Sequence, residues 1–321
     1  MRFHTRLTDK LGIEHPILLA PMNAFSGGAL AGAVSQAGGL GLVAAGWHDT
    51  ADWLERELAA AGNARVGCGF ITWWLDRHPH LLDAALARRP AAVMLSFGDP
   101  SPYAPKILAA DAALISQIQT VAQARQAADL GADIIVAQGT EAGGHGGGRT
   151  TFTLVPAVVD AVAGRGIAVA AAGGIADGRG LASALALGAD GVLMGTRFYA
   201  SDESLAAPEA KARVVAAGGE ATLRTRIFDI IRRIDWPAHI TGRALANDFA
   251  RRWHQREDAL GDALSAELPR YADAVNAGDF DTAVIFASEA VDLIQAVKPA
   301  ARIVDDIVAE AQAVLARLSS R

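Results

Sequence analysis

The feature that most limits what this chain can fold into is a rhythm. Between residue 16 and about residue 220, eight short apolar runs alternate with segments of helical periodicity. The runs are 16–21 (PILLAP), 40–46 (LGLVAAG), 65–71 (RVGCGFI), 91–97 (AAVMLSF), 113–120 (ALISQIQT), 133–139 (DIIVAQG), 168–174 (AVAAAGG) and 191–198 (GVLMGTRF). Most are continuously apolar rather than alternating, the pattern of parallel strands covered on both faces. Helices are predicted at 29–37, 50–61, 79–88, 121–130, 155–164, 179–188 and 206–217. Between the fourth and fifth runs, Pro100, Pro102 and Pro105 admit only a short one. Eight such units predict an α/β protein built as a (β/α)8 TIM barrel. An open doubly wound sheet would need a dinucleotide turn, yet no G-x-G-x-x-G follows the first run and no GxxxxGK[ST] occurs anywhere.

Past residue 220 the rhythm breaks. Residues 221–321 read as a C-terminal helical extension that packs on or caps a barrel domain of residues 1–220. Residues 224–253 mix arginine with large apolar side chains, and a long amphipathic segment runs from Asp281 to about Leu318, interrupted at Pro299.

Charge and composition exclude several classes. With 29 basic against 35 acidic residues and a net charge of −6, there is no concentration of lysine and arginine such as phosphate backbones require, so nucleic acid is not an expected partner. No apolar run approaches the ~20 residues of a membrane span. The single cysteine, Cys68, excludes an intramolecular disulfide and a cysteine-rich zinc site. Together with an N-terminus (MRFHTRLTDK) that leads into no long apolar stretch, it points to the cytoplasm. His78 and His80 flank Pro79 with no acidic or cysteine neighbour, so no metal is expected. The expected partner is a small molecule; assembly into a homo-oligomer stays open.

A barrel carries its active site at the C-terminal ends of its strands, which sorts the sequence. The first run ends at Ala20-Pro21-Met22-Asn23, the sixth at Gln138-Gly139-Thr140, the seventh at Gly173-Gly174 and the eighth at Gly195-Thr196. The last two are apolar strands that end in glycine and lead towards helices, where freed backbone N–H groups favour an anion. Loops after the seventh and eighth strands are the usual phosphate site of this fold. Directly after the sixth run comes EAGGHGGG (141–148), which places one histidine, His145, among five glycines on the catalytic face. Neutral imidazole has a pKa near 6.5 and can accept a proton at physiological pH.

Three segments, APMNAFSGGALAGAVSQAGGLGLV, VAQGTEAGGHGG and AAGGIADGRGLASALALGADGVLMGTRF, resemble the motifs of the nitronate monooxygenase family, formerly called 2-nitropropane dioxygenases. The resemblance covers about residues 12–200. It implies FMN as cofactor, with Gly173, Gly174, Gly195 and Thr196 on the flavin phosphate, Ala20, Pro21, Met22 and Asn23 along the isoalloxazine edge, and Gln138 facing the ring or ribityl chain. Gly143 and Gly144 would let the flavin pass close to the backbone, and His145 takes the place of the family's catalytic histidine. The implied reaction oxidises alkyl nitronates, or nitroalkanes after removal of an α-proton, with O2 to a carbonyl compound and nitrite. Flavin-dependent enoyl-ACP reductases share the EAGGH and AAGGIADG segments, so an NAD(P)H-dependent reductase of quinones or enoyl thioesters is the alternative. A flavin-binding protein without turnover, in which His145 is structural, is the third.

One departure stands out. Barrel FMN enzymes often place a lysine near the flavin, whereas Lys10, Lys106, Lys211 and Lys298 end none of the predicted strands; Gln117 and Gln119 of the fifth run are offered instead. Trp47, His48, Trp73 and Trp74 follow the second and third runs and suit either a substrate wall or packing. Arg149 reads as a surface residue, and Cys68 as core.

Overall fold

The computed structural model describes residues 3–45 and 50–320; Trp47 and His48 lie outside the described residues. Each of the eight apolar runs contains one strand. These are β1 (Ile17–Leu19), β2 (Leu42–Ala44), β3 (Gly67–Ile71), β4 (Ala92–Ser96), β5 (Ala113–Ile118), β6 (Ile134–Gln138), β8 (Ala168–Ala172) and β9 (Gly191–Met194). Between β6 and β8 lies β7 (Gly144–Gly146), and the extension adds β10 (Thr222–Thr225) and β11 (Thr241–Leu245).

The eight strands form one parallel sheet in the order β1-β9-β8-β6-β5-β4-β3-β2. A parallel bridge from Leu18 to Leu40 brings the two ends of that order together. The sheet is thus nearly closed into a barrel, with helices between successive strands. Burial follows the strand period of two. In β4, Ala92 and Met94 point to one cluster with Ile115, Ile134, Val136, Ala170 and Leu193, whereas Val93 and Leu95 face the layer of helices. Leu7 and Leu11 of the first helix, Arg6–Leu11, join the inner cluster. A barrel interior filled this way is a packed core, which leaves the mouth at the strands' C-terminal ends for chemistry.

The extension contains strands as well as helices. β10 pairs antiparallel with β11, and β11 pairs with β7 through Gly242 opposite His145. The amphipathic pattern that begins at Asp281 forms a helix only from Ala300 to Ser319. Ile285, Ala287, Val291 and Ile294 are buried, but in a loop with one 3-10 turn, Glu289–Leu293. Their spacing imitates a helical face because a loop that crosses the barrel mouth also buries one side. Ile303, Val304, Ile307, Val308 and Ala311 then press the last helix onto the outer barrel layer. It lies against helices Gly178–Ala186 and Gly28–Gln36. The Gly178 amide donates to Glu310 at 2.8 Å, and a β-carbon on Gly178 would sit 2.4 Å from the Ala311 nitrogen.

Candidate active site

The mouth of the barrel holds a half-closed cavity whose empty space, counted out to open solvent, is about 1290 Å³. All twelve residues singled out from the sequence line it: Ala20, Pro21, Met22, Asn23, Gln138, Gly143, Gly144, His145, Gly173, Gly174, Gly195 and Thr196. Gln117 and Ser96 line it too, but Gln119, Trp73, Trp74 and Arg149 do not. Arg149 is exposed and donates to the Thr153 carbonyl at 3.1 Å. His78 stacks on Trp74 with ring centroids 4.5 Å apart. Among the described residues no cluster of histidine, cysteine and carboxylate groups is placed to hold a metal.

On one side of the cavity lie the two glycine turns. Gly173 and Gly174 adopt φ of 100° and 73°, the left-handed region that side-chain-bearing residues avoid. Among the described residues, the backbone N–H groups of Gly174, Gly195 and Thr196 donate to no protein acceptor. Uncommitted amides at the edge of a cavity suit an anionic oxygen such as that of a phosphate. The Thr196 hydroxyl accepts from the Ser288 amide at 3.0 Å, which leaves its O–H free to donate into the site.

The adjoining wall belongs to the EAGGHGGG loop and is tied to the extension. Glu141 accepts from the Thr151 amide at 2.9 Å and the Thr151 hydroxyl at 2.8 Å, which anchors the loop to the start of the helix that follows. Gly143 is glycine for a reason the sequence does not carry. A β-carbon there would lie 2.6 Å from the Ala287 carbonyl carbon and 2.7 Å from the Ser288 nitrogen, so the excluded neighbour is the crossing chain. Ser288 Oγ donates to the Glu141 carbonyl at 2.7 Å, and the Glu289 amide donates to the same oxygen at 3.1 Å. Two arginines complete the stitching. Arg224 donates to the Thr140 and Gly146 carbonyls at 3.0 and 2.7 Å, and Arg243 to the Thr140 carbonyl at 3.0 Å and the Glu289 carboxylate at 2.8 Å. Burial, with Arg243 nearby, pushes Arg224 down to about 10, so it keeps its charge at neutral pH.

His145 sits at the centre of this wall. Its Nε2 lies 2.9 and 3.0 Å from the two carboxylate oxygens of Asp229, in helix Ile227–Arg232. An ionised carboxylate can only accept, so the neutral ring carries its proton on Nε2 and keeps the Nδ1 lone pair as its basic site. Burial pulls the imidazole pKa below its ordinary value; Asp229 opposes this, while Arg232 and Arg224 add to it. The ring stacks on Trp236 at a centroid distance of 3.7 Å and an interplanar angle of 10°. Trp73 and Phe97 pack edge-on against the other sides of Trp236, at 5.2 and 5.1 Å. Trp73 therefore serves the wall from behind, as packing.

Gln138 holds the loop rather than reaching only into the cavity. Its Nε2 donates to the His145 carbonyl at 3.1 Å, while its Oε1 accepts from Gln117 at 3.3 Å and Gln119 at 3.0 Å. None of the four lysines lines the cavity. Sequence reasoning missed Asp229, Arg232, Trp236, Phe286 and Ser288, all from the extension. The available signal was a pair of acidic residues, Asp229 and Asp235, inside the apolar, arginine-rich stretch 224–236.

A parallel barrel whose mouth joins free amides on one wall to a carboxylate-held histidine on the other is the framework of a cofactor-using barrel oxidoreductase. Comparison with known proteins gives the family. The model of the nitronate monooxygenase family matches residues 4–65 and 76–310, and the chain belongs to that family. A nitronate monooxygenase of Neurospora crassa is 33% identical over 93% of this chain and 90% of its own length. A Mycobacterium tuberculosis protein named (3aS,4S,5R,7aS)-5-hydroxy-7a-methyl-1-oxo-octahydro-1H-indene-4-carboxyl-CoA dehydrogenase is 39% identical over 71% of this chain, and that match spans 65% of the relative's length. Among solved structures, FabK from Thermotoga maritima superposes with a TM-score of 0.86 at 31% identity, covering 99% of both chains. A nitroalkane oxidase from Streptomyces ansochromogenes gives 0.81 at 29% identity, covering 98% of this chain and 100% of that one. No helix among the described residues is long and apolar enough to cross a membrane.

Proposed function

We propose that the protein is an FMN-dependent enzyme that oxidises alkyl nitronates with O2 to a carbonyl compound and nitrite. The observation that carries this reading is the pairing of His145 with Asp229 beside a cavity that also offers uncommitted amides. FMN fits those amides: Gly174, Gly195 and Thr196 would hold its phosphate, and Gly173 gives the turn its shape. Ala20, Pro21, Met22 and Asn23 would border the ring, with Gln138 beneath the loop. When bound, the flavin supplies the electron-accepting chemistry.

The chain's own residues position and protonate. Asp229 holds the imidazole in the Nε2–H tautomer, so Nδ1 can take an α-proton from a neutral nitroalkane. With a nitronate as substrate no proton need be removed, and His145 orients the anion. Trp236, Phe97 and Phe286 surround that region with apolar surface that limits water.

Oxidation or reduction of a CoA thioester is a second reading, favoured by the relative named as a CoA dehydrogenase. The visible spectrum of the anaerobic protein separates the two. Bleaching by propyl-2-nitronate and not by NADH supports the proposal, with nitrite release on admitting O2. Bleaching by NADH alone rejects it in favour of the reductase class.

A further inference from the structure

Among the described residues that line the cavity, one side chain carries a permanent charge: Arg232. Its neighbours on the wall are apolar, amide or hydroxyl groups, together with His145, whose ring is kept neutral by burial. No carboxylate is among the described lining residues, and a guanidinium on a cavity wall is costly unless something answers it.

Asp229 answers part of it. Arg232 Nη2 donates to Asp229 Oδ1 at 2.9 Å, and Nε donates to the Phe228 carbonyl at 2.8 Å. But Asp229 is shared, since the same carboxylate accepts from His145. Its guanidinium carbon lies 5.3 Å from the centre of the Phe286 ring, within the range of a cation–π contact. Among the described residues, Nη1 donates to no protein acceptor. About a quarter of the side chain remains exposed. Arg232 is therefore held at two of its three nitrogens, on a side chain that shares both the cavity and the Asp229 carboxylate with His145.

We infer that Arg232 is the residue that selects an anionic substrate, by donating from Nη1 to an oxygen of a nitronate or carboxylate group placed next to His145. The inference rests on the proposed activity for its substrate but not for its geometry. Asp229 then has two tasks: it orients the base and the anion-binding group from one carboxylate, so base and anion site keep a constant separation. A guanidinium suits a flat group with charge spread over two oxygens.

Isobutyrate tests this directly. It has the heavy-atom skeleton of propyl-2-nitronate and a like charge on two oxygens, yet it cannot be turned over. Its binding to the purified holoenzyme is followed by titration calorimetry, with isobutyramide as the neutral control. Arg232→Gln should weaken isobutyrate about tenfold to a hundredfold, the worth of a charge-assisted hydrogen bond, and leave isobutyramide unaffected. Arg232→Lys should recover part of the loss. In turnover of propyl-2-nitronate, Arg232→Gln should raise KM by the same factor and change kcat much less. Should both variants fold poorly, raising the ionic strength around the wild-type protein must weaken isobutyrate and not isobutyramide.

The inference is overturned if the wild-type protein does not prefer isobutyrate to isobutyramide. It is equally overturned if Arg232→Gln binds both as the wild type does, or lowers kcat at unchanged KM. Failure of the proposed activity reads differently: isobutyrate would bind through Arg232 while no nitronate was oxidised.

Discussion

Two glycine-rich walls adjoin along the cavity, a β-carbon on Gly174 reaching to 3.2 Å from Glu141 Cβ, and they use glycine differently. On the barrel wall, Gly173 and Gly174 need the left-handed backbone, and the amides around them are left uncommitted. On the loop wall, Gly143 makes way for Ala287, while Arg224 and Arg243 bind the loop to the extension by donating to the Gly146 and Thr140 carbonyls. The first wall is complete within one βα turn and its neighbour. The second exists only because residues 224–289 return to it. A glycine run thus announces a close approach without saying whether a ligand or the protein's own chain approaches.

The contrast can be broken most severely at the histidine. His145→Asn removes the proposed base and should lower kcat/KM on a neutral nitroalkane by about 10²–10⁴-fold, the usual worth of general-base catalysis. FMN content should stay unchanged, because the barrel wall is untouched; a parallel loss of flavin would mean that the walls are not independent. Asp229→Asn should cost less, on the order of 10–100-fold, since the ring remains but its tautomer is no longer imposed. It also displaces the pH profile. Burial already holds the His145 pKa below ~6.5, so the acid limb of kcat/KM should lie below that value. Asp229 raises the pKa, so its loss should move the limb to still lower pH. The same sign governs stability. The unfolded histidine takes up a proton first, so the contribution from this site is full above ~6.5 and declines as pH falls towards the folded pKa.

The glycine substitutions sharpen the contrast. Gly174→Val forces a β-branched residue into a left-handed conformation at a cost of about 1–3 kcal/mol; the proposal expects flavin retention to fall while His145 keeps its partner. Gly143→Ala should destabilise by about 1–3 kcal/mol, since the clash is with backbone on both sides. Here activity should drop with the flavin retained, measured as thermal midpoint, flavin absorbance and turnover on one preparation. Gly148→Ala is the smallest change. Its β-carbon meets nothing within 4 Å, so stability should move by less than ~0.5 kcal/mol. A large effect would show that the loop closes further than its present position.

How much was legible beforehand follows the same division. The eight strands could be read because burial on both faces makes each a continuous apolar run. Gly173, Gly174, Gly195 and Thr196 could be placed because strand ends and turn chemistry are local. The helical reading of residues 281–299 differs from the structure because a loop buried on one side repeats every three or four residues, as a helix does. Arg232 and Trp236 were passed over because their own neighbourhood, 224–236, reads as any amphipathic packing surface.

Sequence by itself determined the barrel, the face on which chemistry would occur and the histidine that stands there. These depend on periodicity and turn preference, which act over a few adjacent residues. Only the tertiary structure decided what holds that histidine, which nitrogen keeps the lone pair, and that Arg232 lies on the cavity wall. His145 and Asp229 are 84 residues apart in the chain. No local rule links positions so distant; their meeting is set by β11 pairing with β7 and by the 286–288 crossing, which together carry the extension over the mouth of the barrel.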